Sequence, residues 1–257
     1  MEFQSEAICL RTRKHGESGA ILDTFTKQQG RHAALVRGGA GRRLRPLLQP
    51  GNIVELEWRG RLEEHLGWYT LELLEPLAGQ FMDDRLTLAA LNSISAMLLE
   101  MLPEKQPLGG FYDVTRIVLD NLSDPDVWPA LYVRWEGLLL QSLGYGLDVT
   151  ACAATGVTED LTHISPRSGR AVSSDAAKPY LDKLFKLPPF MRGEPVASPR
   201  DIGDGLRLTG HFLETRVQWE RNRTLPEARR VMVERLVAEG LAETSGWLTN
   251  EDRKDAL

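Results

Sequence analysis

The residue pattern of this chain changes period at Pro76, and that change limits the fold more than any other feature. Before it lie five short runs rich in β-branched, aromatic and aliphatic residues: Glu6–Thr12, Ala20–Thr26, His32–Arg37, Asn52–Arg59 and Trp68–Leu74. Gly16–Gly19, Gln29-Gly30, Gly38–Gly41, Pro50-Gly51 and Gly60–Gly67 separate them. Such glycine- and proline-rich breaks between short apolar runs are the punctuation of strands and turns. Within Ile53–Trp58, Val54, Leu56 and Trp58 alternate with Glu55 and Glu57, the period of a strand buried on one face. Five such strands are the strand count of an OB barrel. An SH3-like barrel has a similar strand budget, but the long connection from Gly38 to Gln49, between the third and fourth strands, favours the OB arrangement.

After Pro76 apolar residues recur at three- and four-residue steps: Leu91, Ile94, Leu98 and Met101; Phe111, Val114 and Val118; Leu131, Trp135 and Leu138; and Leu206, Leu213 and Val217. Each set is the stripe of an amphipathic helix. Thr224-Leu225-Pro226-Glu227 opens a last helix as a capping box, and Gly240 ends it. The fold class read from this is α+β: a five-stranded OB-fold barrel at residues 1–80, then a helical domain at 81–257. An irregular insert at 148–176, rich in Thr, Ser and Gly, interrupts the helices.

The formal net charge of −5 gives no reason to expect an anionic partner, but the charge is uneven. Residues 1–80 carry 11 Lys+Arg against 10 Asp+Glu, and the remainder is net −6. Between positions 11 and 45 stand Arg11, Arg13, Lys14, Lys27, Arg31, Arg37, Arg42, Arg43 and Arg45 against only Glu17 and Asp23, net +7. A phosphate backbone responds to local potential, because charges beyond a Debye length of about 8 Å are screened. These nine residues are the expected nucleic-acid contacts. Phe25, Trp58, Trp68 and Tyr69 are the barrel aromatics, each either a core side chain or a stacking platform for a base.

Chemistry of other kinds is missing. Gly38-Gly39-Ala40-Gly41-Arg42-Arg43 lacks the Gly-Lys-Ser/Thr of a nucleotide-cradling loop, and no Gly-x-Ser-x-Gly elbow occurs. The five histidines are scattered with none at metal-pair spacing, and Glu63-Glu64 and Asp83-Asp84 are adjacent pairs unsuited to acid/base work. No enzyme, catalytic residue, cofactor or metal is expected. No run of 18 apolar residues occurs and Met1–Glu6 is acidic, so neither a membrane span nor a secretory signal is expected. Cys9 and Cys152, the only cysteines, suit a reducing cytoplasm.

Glu6–Arg13, Gly16-Glu17-Ser18, Thr24-Phe25-Thr26, Gly30-Arg31, Arg37-Gly38 and Leu48-Gln49-Pro50 closely resemble the N-terminal OB domain of the bacterial RecO family. The likeness continues through Leu138–Gly146 and Leu187-Pro188-Pro189-Phe190. It implies a recombination mediator in DNA repair that binds single- and double-stranded DNA and anneals complementary strands. The partners implied are RecR and the single-strand-binding protein, with RecA loaded indirectly, in the cytoplasm at the nucleoid. Many members carry a four-cysteine zinc knuckle in the insert. Here Cys152, Thr155, Ser173 and Ala176 fall at its four positions, so a degenerate, metal-free knuckle is expected. A second reading is a protein-interaction adaptor whose acidic helical domain docks partners and whose DNA binding is secondary.

Overall fold

Five strands form the first part of the chain: β1 (Glu2–His15), β2 (Gly19–Thr26), β3 (Gly30–Val36), β4 (Ile53–Arg59) and β5 (Trp68–Glu75). They close into a barrel in the order β1-β2-β3-β5-β4, all pairs antiparallel except β3 with β5. The computed structural model describes residues 1–62, 65–194, 197–219 and 223–244. Glu63 and Glu64 lie outside them.

β1 is much longer than the run Glu6–Thr12 suggests, because it serves two neighbours. Glu2–Ile8 pair with β4 and Ala7–His15 with β2, and the register shifts between Cys9 and Arg11. The expected alternation in β4 is present: Val54, Leu56 and Trp58 face the core, and Glu55 is exposed. Small residues Ala7, Ala20 and Ala34 meet the large Trp58 and Tyr69 in that core. Size alternation of this kind fills a narrow barrel, and each fully buried large apolar side chain contributes about 1.5–3 kcal/mol. Since β1 runs antiparallel to both β2 and β4, the start of β1, the β2–β3 turn and the end of β4 share one mouth. The connection 37–52 leaves from the other.

Two compact units are found, Met1–Ser123 with Leu225–Met232, and Asp124–Thr224 with the residues from Val233 onward. The first unit therefore continues past the barrel. A short turn of helix, α1 (Leu77–Gln80), leads to α2 (Arg85–Met101), and α3 (Phe111–Asp120) follows. Asp84 caps α2, its Oδ1 accepting from the Leu86 and Thr87 amides at 3.0 and 3.1 Å. The stripe Leu91, Ile94, Leu98 and Met101 is buried, and α2 lies against β1. Phe111 and Tyr112 of α3 place their rings 6.2 and 5.5 Å from that of Phe25.

In the second unit α4 (Trp128–Ser142) packs against α6 (Pro199–Phe212), and Thr209 Oγ1 donates to the buried Glu136 at 2.5 Å. The stripe expected on α4 needs correction. Leu138 is exposed and Leu131 half-buried, whereas Tyr132, Trp135 and Leu139 face inward with Trp128. This helix carries apolar residues on most of its circumference, so spacing alone did not select the buried face. Ser198 opens α6 with a reciprocal capping box to Asp201, and a π-helical turn at Leu213–Gln218 continues from its end. The last helix among the described residues, α7 (Glu227–Ala238), is divided between the two units after Met232, and Gly240 lies beyond it at φ +73°.

The insert is more ordered than expected. Within it β6 (Leu161–Ile164) pairs with β7 (Ala171–Ser173), β8 (Phe185–Lys186) from beyond its expected end completes a small sheet in the order β7-β6-β8, and α5 (Ser174–Ala177) follows β7. Strands of two to four residues are too short to show alternation in a sequence.

Candidate nucleic-acid interface

The connection between β3 and β4 is a run of turns with two chemically distinct faces. Leu48 is buried, and Leu44 and Leu47 pack on the barrel core beneath it. Thr12 Oγ1 donates to the Leu48 carbonyl at 2.7 Å, and Asn52 Nδ2 to those of Pro46 and Leu47 at 2.9 and 3.2 Å. With the leucines turned inward, Arg42, Arg43 and Arg45 are exposed between them. The segment Arg42-Arg43-Leu44-Arg45-Pro46-Leu47-Leu48 is thus a basic rim fixed by an apolar underside, which limits the ordering cost of binding.

Arg37 begins this connection, and its guanidinium lies 5.1 Å from the ring centroid of Trp68, the first residue of β5. Trp68 is 37% exposed, while Phe25, Trp58 and Tyr69 are buried. Of these four aromatics, Trp68 alone presents a ring to solvent, beside a cation that suits stacking. On β1, Arg11 and Arg13 place their Nε atoms 3.2 and 3.4 Å from the same carboxylate oxygen of Asp23. Lys14 is exposed near the end of the strand.

The other two basic positions are arranged differently. Lys27 bonds Asp113 at 2.7 Å. Arg31, 16% exposed, reaches the Leu102 carbonyl at 2.9 Å and Glu104 at 3.0 Å. Both sit at the β2–β3 turn, at the mouth opposite the connection, and are engaged with acids of their own unit. The structure therefore gathers Arg37, Arg42, Arg43 and Arg45 on one connection, with Arg11, Arg13 and Lys14 on the strand that touches it. Asp23, which orders two of these arginines, was not singled out by sequence, where it reads only as one acid in a basic stretch.

In the insert Cys152 Sγ accepts from the Ser173 amide and hydroxyl at 3.3 and 3.4 Å. Burial alone pushes this thiol up, but the Ser173 and Thr155 hydroxyls with the Ser173 and Ala154 amides outweigh it and bring the pKa to about 6. Cys152 and Ser173, two of the four positions laid on the knuckle, are thus in contact. The donor set nonetheless does not fit zinc: one sulfur is present, Ala176 has no donor atom, and the N–H and O–H groups already saturate the thiolate. Among the described residues no group of three or more His, Cys, Asp or Glu could hold a metal ion.

A closed barrel with parallel β3–β5 pairing and a long third connection, followed by a helical region, defines an α+β protein built on an OB fold. The family described as Recombination protein O N terminal matches residues 1–77, and that described as Recombination protein O C terminal matches 82–226. Relatives named DNA repair protein RecO include those of Ruegeria sp., 49% identical over 89% of this chain and 95% of the relative, and Caulobacter vibrioides, 46% identical over 92% and 98%. That of Rhodospirillum rubrum is 45% identical over 92% and 96%. The chain belongs to the RecO family.

Proposed function

We propose that this protein acts in DNA repair as a recombination mediator. It grips the phosphate backbone of single- and double-stranded DNA through the basic connection and β1, and presents bases for pairing with a second strand. The observation that carries this reading is the exposure of Arg42, Arg43 and Arg45 on a segment held by its own leucines to the barrel mouth. Kinship with proteins named DNA repair protein RecO supports the same role. In this reading the barrel at 1–80 is the DNA-binding domain and 81–257 the helical domain. RecR and the single-strand-binding protein are its partners, RecA is loaded indirectly, no step is catalytic, and the protein works in the cytoplasm at the nucleoid. No helix among the described residues is long and apolar enough to cross a membrane.

The adaptor role fits beside it in the second unit, where Tyr180 and Leu181 are adjacent and exposed within the acidic part of the chain.

The test is binding of the full chain to a single-stranded oligonucleotide over a range of salt, with charge reversal at Arg42, Arg43 and Arg45. Affinity is expected to fall by roughly 0.7 log units per log salt for each phosphate neutralised, and the triple reversal to weaken binding and flatten that slope. Annealing of complementary strands coated with single-strand-binding protein is expected to accelerate. Unchanged binding by the triple variant would remove the connection from the interface.

A further inference from the structure

At the mouth opposite the basic connection, a cavity of about 190 Å³ opens between Phe3, His32, Trp58, Gln29 and Lys105, with Met1 and Glu2 also lining it and the Glu2 carboxylate paired with Arg59 at 3.5 Å. Its walls are an aromatic corner. The rings of Phe3 and Trp58 stack at 5.4 Å, and His32 stands edge-on to both at 5.3 and 5.5 Å.

The protonation of His32 follows from counting protons. Thr24 Oγ1 donates its one proton to the His32 carbonyl at 3.1 Å, so at its 3.1 Å contact with Tyr69 it accepts. Tyr69 has then spent its own proton, and the 2.7 Å contact with His32 Nδ1 is donated by the imidazole. Nε2 is left as a bare lone pair on a ring only 3% exposed, with no protein partner among the described residues. It is the ring nitrogen left for the cavity. The ring stays neutral, because burial first and the Lys105 charge second lower its pKa to about 4.

Lys105 is placed here at a cost. Its backbone adopts φ +55°, uncommon for a residue with a side chain, and its amide donates to the Arg31 carbonyl at 2.7 Å. Arg31 in turn holds the Leu102 carbonyl and Glu104, just before Lys105 in the chain. An otherwise unremarkable linker is thereby pinned so that Lys105 lines the cavity with its charge close enough to act on His32, and Gln29 lines it beside them.

We infer that this cavity is a pocket for one unpaired nucleobase of single-stranded DNA, its ring against the Phe3–Trp58 corner and its pairing edge on His32 and Lys105. Each base carries a donor beside an acceptor on its Watson–Crick edge, complementary to an adjacent acceptor and donor here. In a duplex that edge is occupied, so a paired base cannot engage. The inference rests on the DNA-binding role proposed above and adds to it a site that senses base pairing, away from the phosphate-gripping arginines.

The test compares a thymidine oligonucleotide with a strand of equal length made of abasic sites, so that the phosphates are the same. The full chain is expected to bind the base-bearing strand about tenfold more tightly, in the range of one stacked base. Lys105→Ala and His32→Asn should bring that ratio toward one, whereas Arg42→Glu should weaken both strands alike. Asn can keep the bond to Tyr69 while lacking the second ring nitrogen. Should His32→Asn not fold, the exposed Lys105→Ala and photocrosslinking of a strand carrying 5-iododeoxyuridine decide the matter. Crosslinks at Phe3, His32 or Trp58 support the pocket. Equal affinity for the two strands, or crosslinks confined to 37–50, would overturn it. Failure to bind either strand would instead overturn the DNA-binding role itself, and the pocket with it.

Discussion

Gly30 and Gln106 approach so closely that a Cβ on Gly30 would stand 2.0 Å from the Gln106 carbonyl oxygen. The φ of Gly30 is +69°, a second reason for glycine there. This contact seats the α2–α3 linker on the β2–β3 turn, alongside the bonds from Arg31 to Leu102 and Glu104. Gly30→Ala is expected to cost at least about 2 kcal/mol, combining left-handed strain with a backbone collision that no side-chain rotation relieves. Chemical denaturation would show it as a lowered midpoint at unchanged m-value, and a midpoint equal to wild type would contradict the seating of the linker.

Acid should weaken the barrel through His32. Its folded pKa of about 4 lies below the ordinary 6.5, so between these values the unfolded chain binds a proton that the native ring refuses. The contribution is complete above about pH 6.5 and is lost as pH falls toward 4, amounting to about 3 kcal/mol at roughly 1.4 kcal/mol per pKa unit. Urea midpoints measured across this window should drop for wild type and drop less for His32→Asn. Lys105→Ala should raise the His32 pKa, since one cause of its depression is removed, and an NMR titration of the ring would read this directly.

The barrel was legible because each of its strands carries a long enough run for a period to show, and because breakers such as Gly38–Gly41 and Pro50-Gly51 mark where pairing stops. The basic connection was legible as charge, yet the leucines that aim its arginines read only as apolar residues in a loop. What escaped was the fate of individual cations. Nothing local distinguishes Lys27, which is exposed but paired with Asp113 86 positions later in the chain, from Arg42, which is exposed and makes no ion pair among the described residues. The cavity was equally silent, since Phe3, His32, Trp58 and Lys105 come from four separate segments and meet only when β1 and β4 pair and the linker is pinned. Sequence periodicity reports a residue's own element, while such a site is made by closure of the barrel.

Asp23 sets how much of the β1 charge reaches a ligand. Its buried carboxylate offsets one of the two positive charges on Arg11 and Arg13, whose side chains are about half exposed. Asp23→Asn keeps an oxygen acceptor for one guanidinium and removes the negative charge. Single-strand affinity is expected to rise and the salt dependence to steepen by about 0.7, the increment of one further neutralised phosphate. Stability should fall by about 1 kcal/mol, since both arginines remain solvated. If affinity does not change, Arg11 and Arg13 lie outside the path of the DNA.

Cys152 should behave as an acidic thiol that is not a metal ligand. Its pKa of about 6 lies below the ordinary thiol value of 9.0, so the native state favours the thiolate. The stability this supplies is complete above the unfolded value and is lost as pH falls through about 6. Cys9 does not interfere, because burial pushes that thiol up to about 12 and it stays protonated throughout. Ultraviolet absorbance of thiolate between about pH 5 and 9 therefore reports Cys152 alone. Ser173→Ala deletes the hydroxyl donor and leaves the amide, and should move the titration upward. Zinc added to either protein should leave both the titration and the melting temperature where they were, because the hydroxyl of Ser173 and the methyl of Ala176 cannot complete a thiolate tetrahedron. A zinc-dependent rise in melting temperature would mean that other side chains supply the missing ligands.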